Sequence, residues 1–315
     1  MEVGGYFEFP QYEGDILHGD ALALNSARNC LAYLIEARKI KKILLPKFLC
    51  ASVEEICKKN KVEVQYYSIG YDFMPYNIIN EDDAWIYMVN YYGQLNKEQI
   101  TKVKEKYGRL ILDNVQAYFQ SPVNEVDTIY SCRKYFGVPD GAFLYTDAQL
   151  DRQLERDKSY NRMAHILGRY ENSASEFYSV FTENENRFDD LSLRKMSKLT
   201  ENLLHSINYK QVKRIRERNY AYLEEHLASV NKIKLRFPEG SFMYPLYVVD
   251  GPRIREKLKE AKIYVATLWP DVFNSCKERE IEYDMAKNIL PIPCDQRYDL
   301  GEMKYIVEKI LKYVC

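Results

Sequence analysis

Two short stretches decide how this sequence folds: residues 110–113, LILD, and residues 128–134, TIYSCRK. The first is an apolar run that ends in an acid. The second is a β-rich run that ends, three residues after a serine, in a lysine. Continuous apolar runs are typical of strands buried on both faces of a parallel sheet, and ligands of open α/β sheets bind beyond the carboxyl ends of the strands. We therefore expect Asp113 and Lys134 to meet at one edge of a sheet.

The rest of the first half extends this pattern, because short apolar runs alternate with amphipathic stretches. The pattern predicts an α/β fold whose large domain holds a seven-stranded, mostly parallel sheet. The predicted strands are residues 21–24, 43–46, 62–67, 85–89, 110–113, 128–130 and 142–145. Ser26 is a suitable N-cap for the helix that follows the first strand, and residues 97–107 predict another helix.

Beyond residue 149 the sequence is mainly helical, with a predicted break at the polar residues 182–186 and one long helix over 199–227. A smaller C-terminal α+β domain is predicted after it. Its predicted strands are 233–237, 243–249 and 263–265, and its predicted helices are 253–262 and 303–314. We place the domain boundary at 228, which gives a large domain, 1–228, and a small domain, 229–315.

Composition excludes several functional classes. The net charge of −1 gives no overall attraction to nucleic acid or to an anionic membrane. The N-terminus lacks the pattern of a secretory signal, and no apolar run approaches the roughly 18 residues of a membrane span. We therefore expect a cytoplasmic protein with neither nucleic acid nor membrane as partner. The 7 cysteines and 4 histidines show no CxxC or HExxH spacing, so we expect reduced thiols and no metal site.

Lys134 and Asp113 each allow a structural and a functional interpretation. Lysines are usually solvated surface residues, but a lysine at a strand end can be desolvated, which lowers its pKa toward that of a useful nucleophile or base. An acid at a strand end is either a turn cap or a functional group at the ligand edge. Together they could hold an aldehyde cofactor as a Schiff base and keep its ring nitrogen protonated. Gln116 could bond the phenolic oxygen of that cofactor, or be an ordinary surface amide.

Residues 26–28, Ser-Ala-Arg, begin the first predicted helix. Helix N-termini bind anions through free backbone N–H groups, and Arg28 could add a bidentate contact to a phosphate. Ser131 could donate its hydroxyl to the same group. A plain capped helix is the simpler alternative.

Taken together, these segments resemble the DegT/StrS family of sugar aminotransferases, which depend on pyridoxal phosphate (PLP) and have the fold type I, aspartate aminotransferase-like architecture. The segments that carry the resemblance are 25–31 (NSARNCL), 92–94 (YGQ), 113–117 (DNVQA), 131–134 (SCRK), 140–142 (DGA), 196–199 (MSKL), 218–220 (RNY) and 288–292 (NILPI). The sequence departs from the family pattern at Ala27, where glycine is usual, at Arg28, where threonine is common, and at Leu112, where an acid is usual.

The resemblance implies PLP as the cofactor, with Lys134 and Asp113 as the catalytic residues. It implies further cofactor contacts at Ser26, Ala27, Arg28, Phe48, Gln116 and Ser131, with Phe48 stacked on the ring. We expect Tyr92 and Arg297 to contact substrate. The family implies glutamate as amino donor, a keto-sugar nucleotide as acceptor, and a homodimer with shared active sites.

Two alternatives remain at this point. The chain could be a PLP enzyme with a non-sugar substrate or a lyase outcome, although the presence of Lys134 argues against the dehydratase branch of the family, which replaces this lysine. It could instead be a non-catalytic member that serves as a regulatory or binding protein.

Overall fold

One mixed sheet forms the centre of the N-terminal half. The computed structural model describes residues 3–79 and 83–314, and eight strands in these ranges belong to this sheet. They are β1 (Leu22–Leu24), β2 (Lys42–Pro46), β3 (Glu63–Ile69), β4 (Pro75–Tyr76), β5 (Trp85–Val89), β6 (Leu110–Asp113), β7 (Asp127–Ser131) and β8 (Ala142–Tyr145). Their order across the sheet is β1-β8-β7-β6-β5-β2-β3-β4.

Most of these strands are parallel, as predicted. Strands β7, β6, β5, β2 and β3 pair in parallel, whereas β8 runs antiparallel to both β1 and β7. All seven predicted strands overlap observed ones, and the α/β class is confirmed. The sheet has an eighth strand, β4, which pairs with the end of β3. Strand β4 is only two residues long, which is too short to show a periodic pattern, so the sequence does not predict it.

Helices cover the sheet, and two of the first three begin at a side-chain N-cap. The first three are α1 (Ala27–Ala37), α2 (Ala51–Lys59) and α3 (Lys97–Tyr107). The Ser26 hydroxyl accepts a hydrogen bond from Asn29 N at 3.2 Å, which confirms Ser26 as the N-cap of α1. Helix α3 has the predicted bounds, and a reciprocal capping box between Asn96 and Gln99 fixes its start.

The helical region after the sheet differs from prediction in two ways. It contains α4 (Ala164–Glu171), α5 (Tyr178–Arg187), α6 (Lys198–His205) and α7 (Tyr209–Leu227). The single helix predicted for 199–227 is wrong, because Asn208 leaves helical geometry and its side chain caps α7 by accepting from Gln211 N. The break predicted at 182–186 is also wrong. Most of these polar residues face solvent within α5, and Arg187 pairs with Glu183 one turn away.

The C-terminal region builds a second, smaller sheet. It consists of β9 (Tyr244–Tyr247) and β10 (Ile289–Ile292), which pair antiparallel, with α8 (Gly251–Glu260), α9 (Val272–Ser275), α10 (Ile281–Asn288) and α11 (Leu300–Val314). The strands predicted at 233–237 and 263–265 are absent from the structure. The backbone N–H of Arg236 donates to the Gln94 side chain, and its carbonyl oxygen accepts from the Gln94 and Tyr220 side chains. These bonds take the place of the ladder that a neighbouring strand would form. Ile263 N bonds back to Leu258 O at the end of α8.

The buried apolar residues fall into two clusters. The larger cluster surrounds the eight-stranded sheet. The second lies in the C-terminal region and includes Tyr220, Leu223 and Leu227 from α7. Helix α7 therefore contributes to the C-terminal core, and the boundary at residue 228 stays a prediction. Of the helices described, none has the length and apolar character to cross a bilayer.

Candidate active site

The topology places Asp113 and Lys134 beside each other. Asp113 is the last residue of β6, and its partner on β7 is Ile129. Strand β7 ends at Ser131, and a 3₁₀ turn, Cys132–Lys134, follows it directly. Because β6 and β7 are parallel neighbours, their carboxyl ends share one edge of the sheet. Burial raises the pKa of Asp113, and the charge of Lys134 acts on this carboxyl and opposes that rise.

Asp113 is a buried carboxylate held by two donors. Its side chain is 5% exposed; the Tyr87 hydroxyl donates to Oδ2 at 2.7 Å and Val115 N donates to Oδ1 at 2.9 Å. Burial raises the pKa of Asp113, and both hydrogen bonds oppose that rise. Each carboxylate oxygen can accept a second hydrogen bond. The group is therefore fixed in orientation and still able to receive a cationic N–H donor.

Lys134 ends the 3₁₀ turn that follows β7. Its side chain contacts solvent, yet desolvation by the surrounding protein lowers the pKa of its amine. Arg133 and Arg28 also lower this pKa, while Cys50 and Asp113 raise it. Within the described ranges, the Lys134 amine has no ion-pair or hydrogen-bond partner. A solvent-accessible amine with a lowered pKa is available as a nucleophile or base.

The predicted phosphate residues lie along the same edge. Ser26 caps α1, so its hydroxyl is already engaged with Asn29 N, and Ala27 and Arg28 form the first turn. Arg28 pairs with Asp189 at 2.5 Å. Ser131 is more than nine-tenths buried, and its hydroxyl has no hydrogen-bond partner in the part of the chain that the structure describes.

Gln116 is held by the turn after β5. Its Oε1 accepts from Tyr92 N at 2.7 Å, and its Nε2 has no partner among residues 3–79 and 83–314. Tyr92 has a positive φ of 54°, which aims its N–H at Gln116. The Tyr92 side chain is buried against Phe73 and Trp269. The turn therefore orients Gln116, whereas the Tyr92 ring is not presented on an open surface.

Two other predicted residues, Phe48 and Arg297, have well-defined partners in the structure. Phe48 is 1% exposed and packs against Tyr91 and Trp269. A ring enclosed in this way has no open face, so the structure gives the assignment of Phe48 as the stacking residue no support. Arg297 forms a bidentate pair with Asp295, with both bonds at 2.7 Å. The predicted roles of both residues remain untested.

Sequence reasoning missed Arg216, which holds the backbone after Lys134. This arginine of α7 is buried, stacks 4.4 Å from the centroid of the Tyr135 ring, and donates to Ser241 O at 2.8 Å. Gln296 donates to Tyr135 O at 2.7 Å and accepts from Arg216 Nε at 2.7 Å. In sequence, Arg216 is one of many basic residues of α7, so no local signal separates it from the surface ones.

The loop between β7 and β8 is anchored to α6. Asp140 is fully buried and accepts from Ser197 N at 2.9 Å, from Ser197 Oγ at 2.6 Å and from Thr200 Oγ1. Gly141 has a φ of 111°, and a Cβ at this position would lie 2.8 Å from the Thr200 methyl group. The loop that carries Lys134 therefore requires glycine at 141 and a carboxylate at 140.

One group of possible metal ligands lies elsewhere. The ligand atoms of Cys276, Glu280 and Glu282 lie within 4.8 Å of one another. Lys47 Nζ pairs with Glu280 at 2.5 Å, and Ile69 N donates to Glu282 at 3.0 Å. A lysine ammonium already provides the cation there, so the group is explained without a metal.

Solved structures identify the fold. NtdA from Bacillus subtilis, solved with bound cofactor PMP, matches 93% of this chain and 73% of its own at a TM-score of 0.68 and 13% identity. A DegT DnrJ EryC1 StrS aminotransferase from Brucella abortus matches 93% of this chain and 86% of its own chain, with a TM-score of 0.62 and 15% sequence identity. Helicobacter pylori PseC, an aminotransferase involved in the biosynthesis of pseudoaminic acid, matches 93% of this chain and 86% of its own chain, with a TM-score of 0.61 and 15% sequence identity.

The chain has the fold of the DegT-type sugar aminotransferases. The match covers nearly all of the chain, and this confirms the aspartate aminotransferase-like architecture expected from the sequence. No protein-family model matches the sequence, and no curated protein is significantly similar to it. At 12–15% identity the solved structures show the shared fold, so the activity must be argued from the site.

Proposed function

We propose that this protein is a PLP-dependent aminotransferase. The observation that carries the proposal is the placement of a free amine, Lys134, beside a buried, oriented carboxylate, Asp113, at the carboxyl ends of adjacent parallel strands. The fold shared with structures that contain PMP or PLP adds support.

The residues present fit this cofactor. Lys134 would hold its aldehyde, and Asp113 would accept a hydrogen bond from its ring nitrogen. The free Nε2 of Gln116 is a donor suited to the phenolic oxygen. The hydroxyl of Ser131, the first turn of α1 and Arg28 offer donors to a phosphate. PLP supplies an aldehyde that condenses with amines and a ring that accepts electron density from the substrate carbon.

The chain itself supplies proton transfer and charge. Among the described residues, Lys134 Nζ has no partner to compete for its lone pair, and its lowered pKa lets it take up a proton at one carbon and deliver it to another. Asp113, fixed by Tyr87 and Val115, stabilises positive charge next to it. Arg216 and Gln296 hold Tyr135 and thereby limit movement of the turn that carries Lys134.

The substrates belong to the same proposal. We infer an amino acid donor, with glutamate as the first candidate, and a keto-sugar nucleotide as acceptor. Support for the sugar comes from the fold alone, since several proteins that share it are named as sugar aminotransferases. A two-fold dimer with shared sites and a cytoplasmic location complete the proposal.

An absorbance titration tests the proposal. Protein mixed with PLP should develop a visible absorbance band that glutamate then removes, because donation of an amino group converts the cofactor to its amine form. Lys134→Ala should lack the initial band, and Lys106→Ala, which removes an exposed lysine of α3, should behave like the wild type. A band that no amino acid changes would favour a lyase, and no band at all would leave only a binding role.

A further inference from the structure

Two arginines at the edge of the site form ion pairs with carboxylates of one short segment. Arg28, in the first turn of α1, lies close enough to Arg133, directly before Lys134, for its charge to act on that guanidinium. Arg133 is largely buried, and desolvation lowers its pKa to about 9. Two neighbouring guanidinium groups require an anion between or beside them to offset their repulsion and desolvation.

In this structure one segment supplies those anions. Asp189 pairs with Arg28, and Glu185 pairs with Arg133. Phe188 lies between these two carboxylates in sequence, is buried, and has its ring centroid 3.7 Å from the Arg133 guanidinium. We call residues 185–189, at the end of α5, the acidic strap.

The docked strap leaves polar groups unsatisfied. Asn184, which precedes it, is 4% exposed, and neither its amide nitrogen nor its amide oxygen has a hydrogen-bond partner in the described chain. Ser131, at the same edge of the sheet, is 7% exposed, and its hydroxyl has no hydrogen-bond partner in those residues. Unsatisfied buried groups destabilise an arrangement. The strap therefore forms ion pairs with both arginines but leaves buried polar atoms of Asn184 and of Glu185 itself without hydrogen bonds within the described chain.

We propose that Arg28, Arg133 and Ser131 form a binding site for a phosphate monoester dianion, which displaces the strap carboxylates from the two guanidinium groups. The charges balance, because a phosphate monoester carries about −1.5 to −2 at neutral pH and replaces two carboxylates. Its three terminal oxygens can accept from both guanidinium groups and from the serine hydroxyl. The inference deepens the proposed function, since the cofactor phosphate would be the physiological ligand.

Calorimetric titration with inorganic phosphate tests the displacement in the full chain, freed of cofactor and held at constant ionic strength. Asp189→Asn should bind phosphate at least about fivefold more tightly, because a competing intramolecular anion is lost. Arg133→Met should bind at least about tenfold more weakly. The matched control is Asp190→Asn, which removes the same charge from a side chain that is 96% exposed. It should stay within about twofold of the wild type.

Trypsin provides a second readout, because Arg187 lies within the strap. Phosphate should speed cleavage after Arg187 in the wild type and have little effect in Asp189→Asn, whose strap is already released. The inference is overturned if Asp189→Asn binds phosphate no more tightly than Asp190→Asn, or if phosphate protects Arg187. Phosphate binding with these variant effects in a chain that forms no bond to PLP would refute the proposed function alone. If the chain forms a covalent bond to PLP but the variants do not change phosphate binding as expected, the displacement of the strap is refuted and the proposed function stands.

Discussion

Asp113 shows how burial and hydrogen bonding together set the state of one functional group. Desolvation raises the pKa of this carboxyl, while the Tyr87 hydroxyl, Val115 N and the charge of Lys134 lower it. A carboxylate that accepts two or three hydrogen bonds remains ionised more readily than one without donors. The site thus combines a low-dielectric position, which raises the pKa of Asp113, with donors that favour its charged form.

His18 gives a residue-scale prediction away from the site. Its ring is buried against Tyr130, with centroids 4.1 Å apart, and Nε2 lies 2.7 Å from Tyr118 O. Burial lowers the pKa of His18 from 6.5 to about 4. Between these values the unfolded chain binds a proton that the folded chain does not. The stabilising effect of the neutral ring is therefore complete above pH 6.5 and lost as the pH falls toward 4.

We expect the free energy of unfolding to fall by up to about 3 kcal/mol from this group over that range, at about 1.4 kcal/mol per pH unit. Urea denaturation of the wild type and of His18→Gln between pH 4.5 and 7 measures this fall in the free energy of unfolding. The difference between the two proteins should shrink as the pH falls. Two curves that stay parallel would show that His18 titrates normally in the folded state.

At the scale of elements, the turn between β7 and β8 depends on Gly141. Alanine there would combine a φ of 111° with a Cβ 2.8 Å from the Thr200 methyl group. We expect Gly141→Ala to lower the free energy of unfolding by roughly 1–3 kcal/mol. Gly137→Ala is the matched control, because the nearest atom to its Cβ would lie 3.4 Å away; it should change stability by less than about 0.5 kcal/mol. Equal effects in urea denaturation would contradict the steric argument.

Elements with a regular pattern could be predicted from the sequence, and elements fixed by distant partners could not. The run 85–89 and the cap at Ser26 carry local signals, and both led to correct elements. Residues 233–237 alternate like a strand, but Gln94, which is far away in sequence, satisfies the backbone of Arg236. The interruption near Asn208 was also missed, since the apolar pattern continues on both sides of it.

The candidate site divides in the same way. Asp113, Ser131 and Lys134 could be predicted to share one edge of the sheet because each lies at or directly after the end of a strand, and parallel strand ends converge. Phe48 was assigned from its position after β2, but tertiary packing encloses its ring with Tyr91 and Trp269. Pairs such as Arg133 with Glu185 depend on how α5 folds back over the sheet edge, which no local pattern specifies.

At the level of the whole chain, α7 connects the C-terminal apolar cluster with the candidate site. The first half of this helix carries Arg216, which contacts Tyr135 beside the lysine turn, and its second half packs into the C-terminal cluster. Gln296, in the loop after β10, contacts the same tyrosine. A displacement of the C-terminal region would therefore act on the backbone next to Lys134, which links the small sheet to the proposed chemistry.

The most direct measurement of the central claim is to locate the covalent bond. The full chain is incubated with PLP, reduced with borohydride, digested and analysed by mass spectrometry. The account predicts one pyridoxyl group, on Lys134, and none in Lys134→Arg. A reduced cofactor on another lysine, or the same labelling in the variant, would contradict the claim that this amine holds the cofactor beside Asp113.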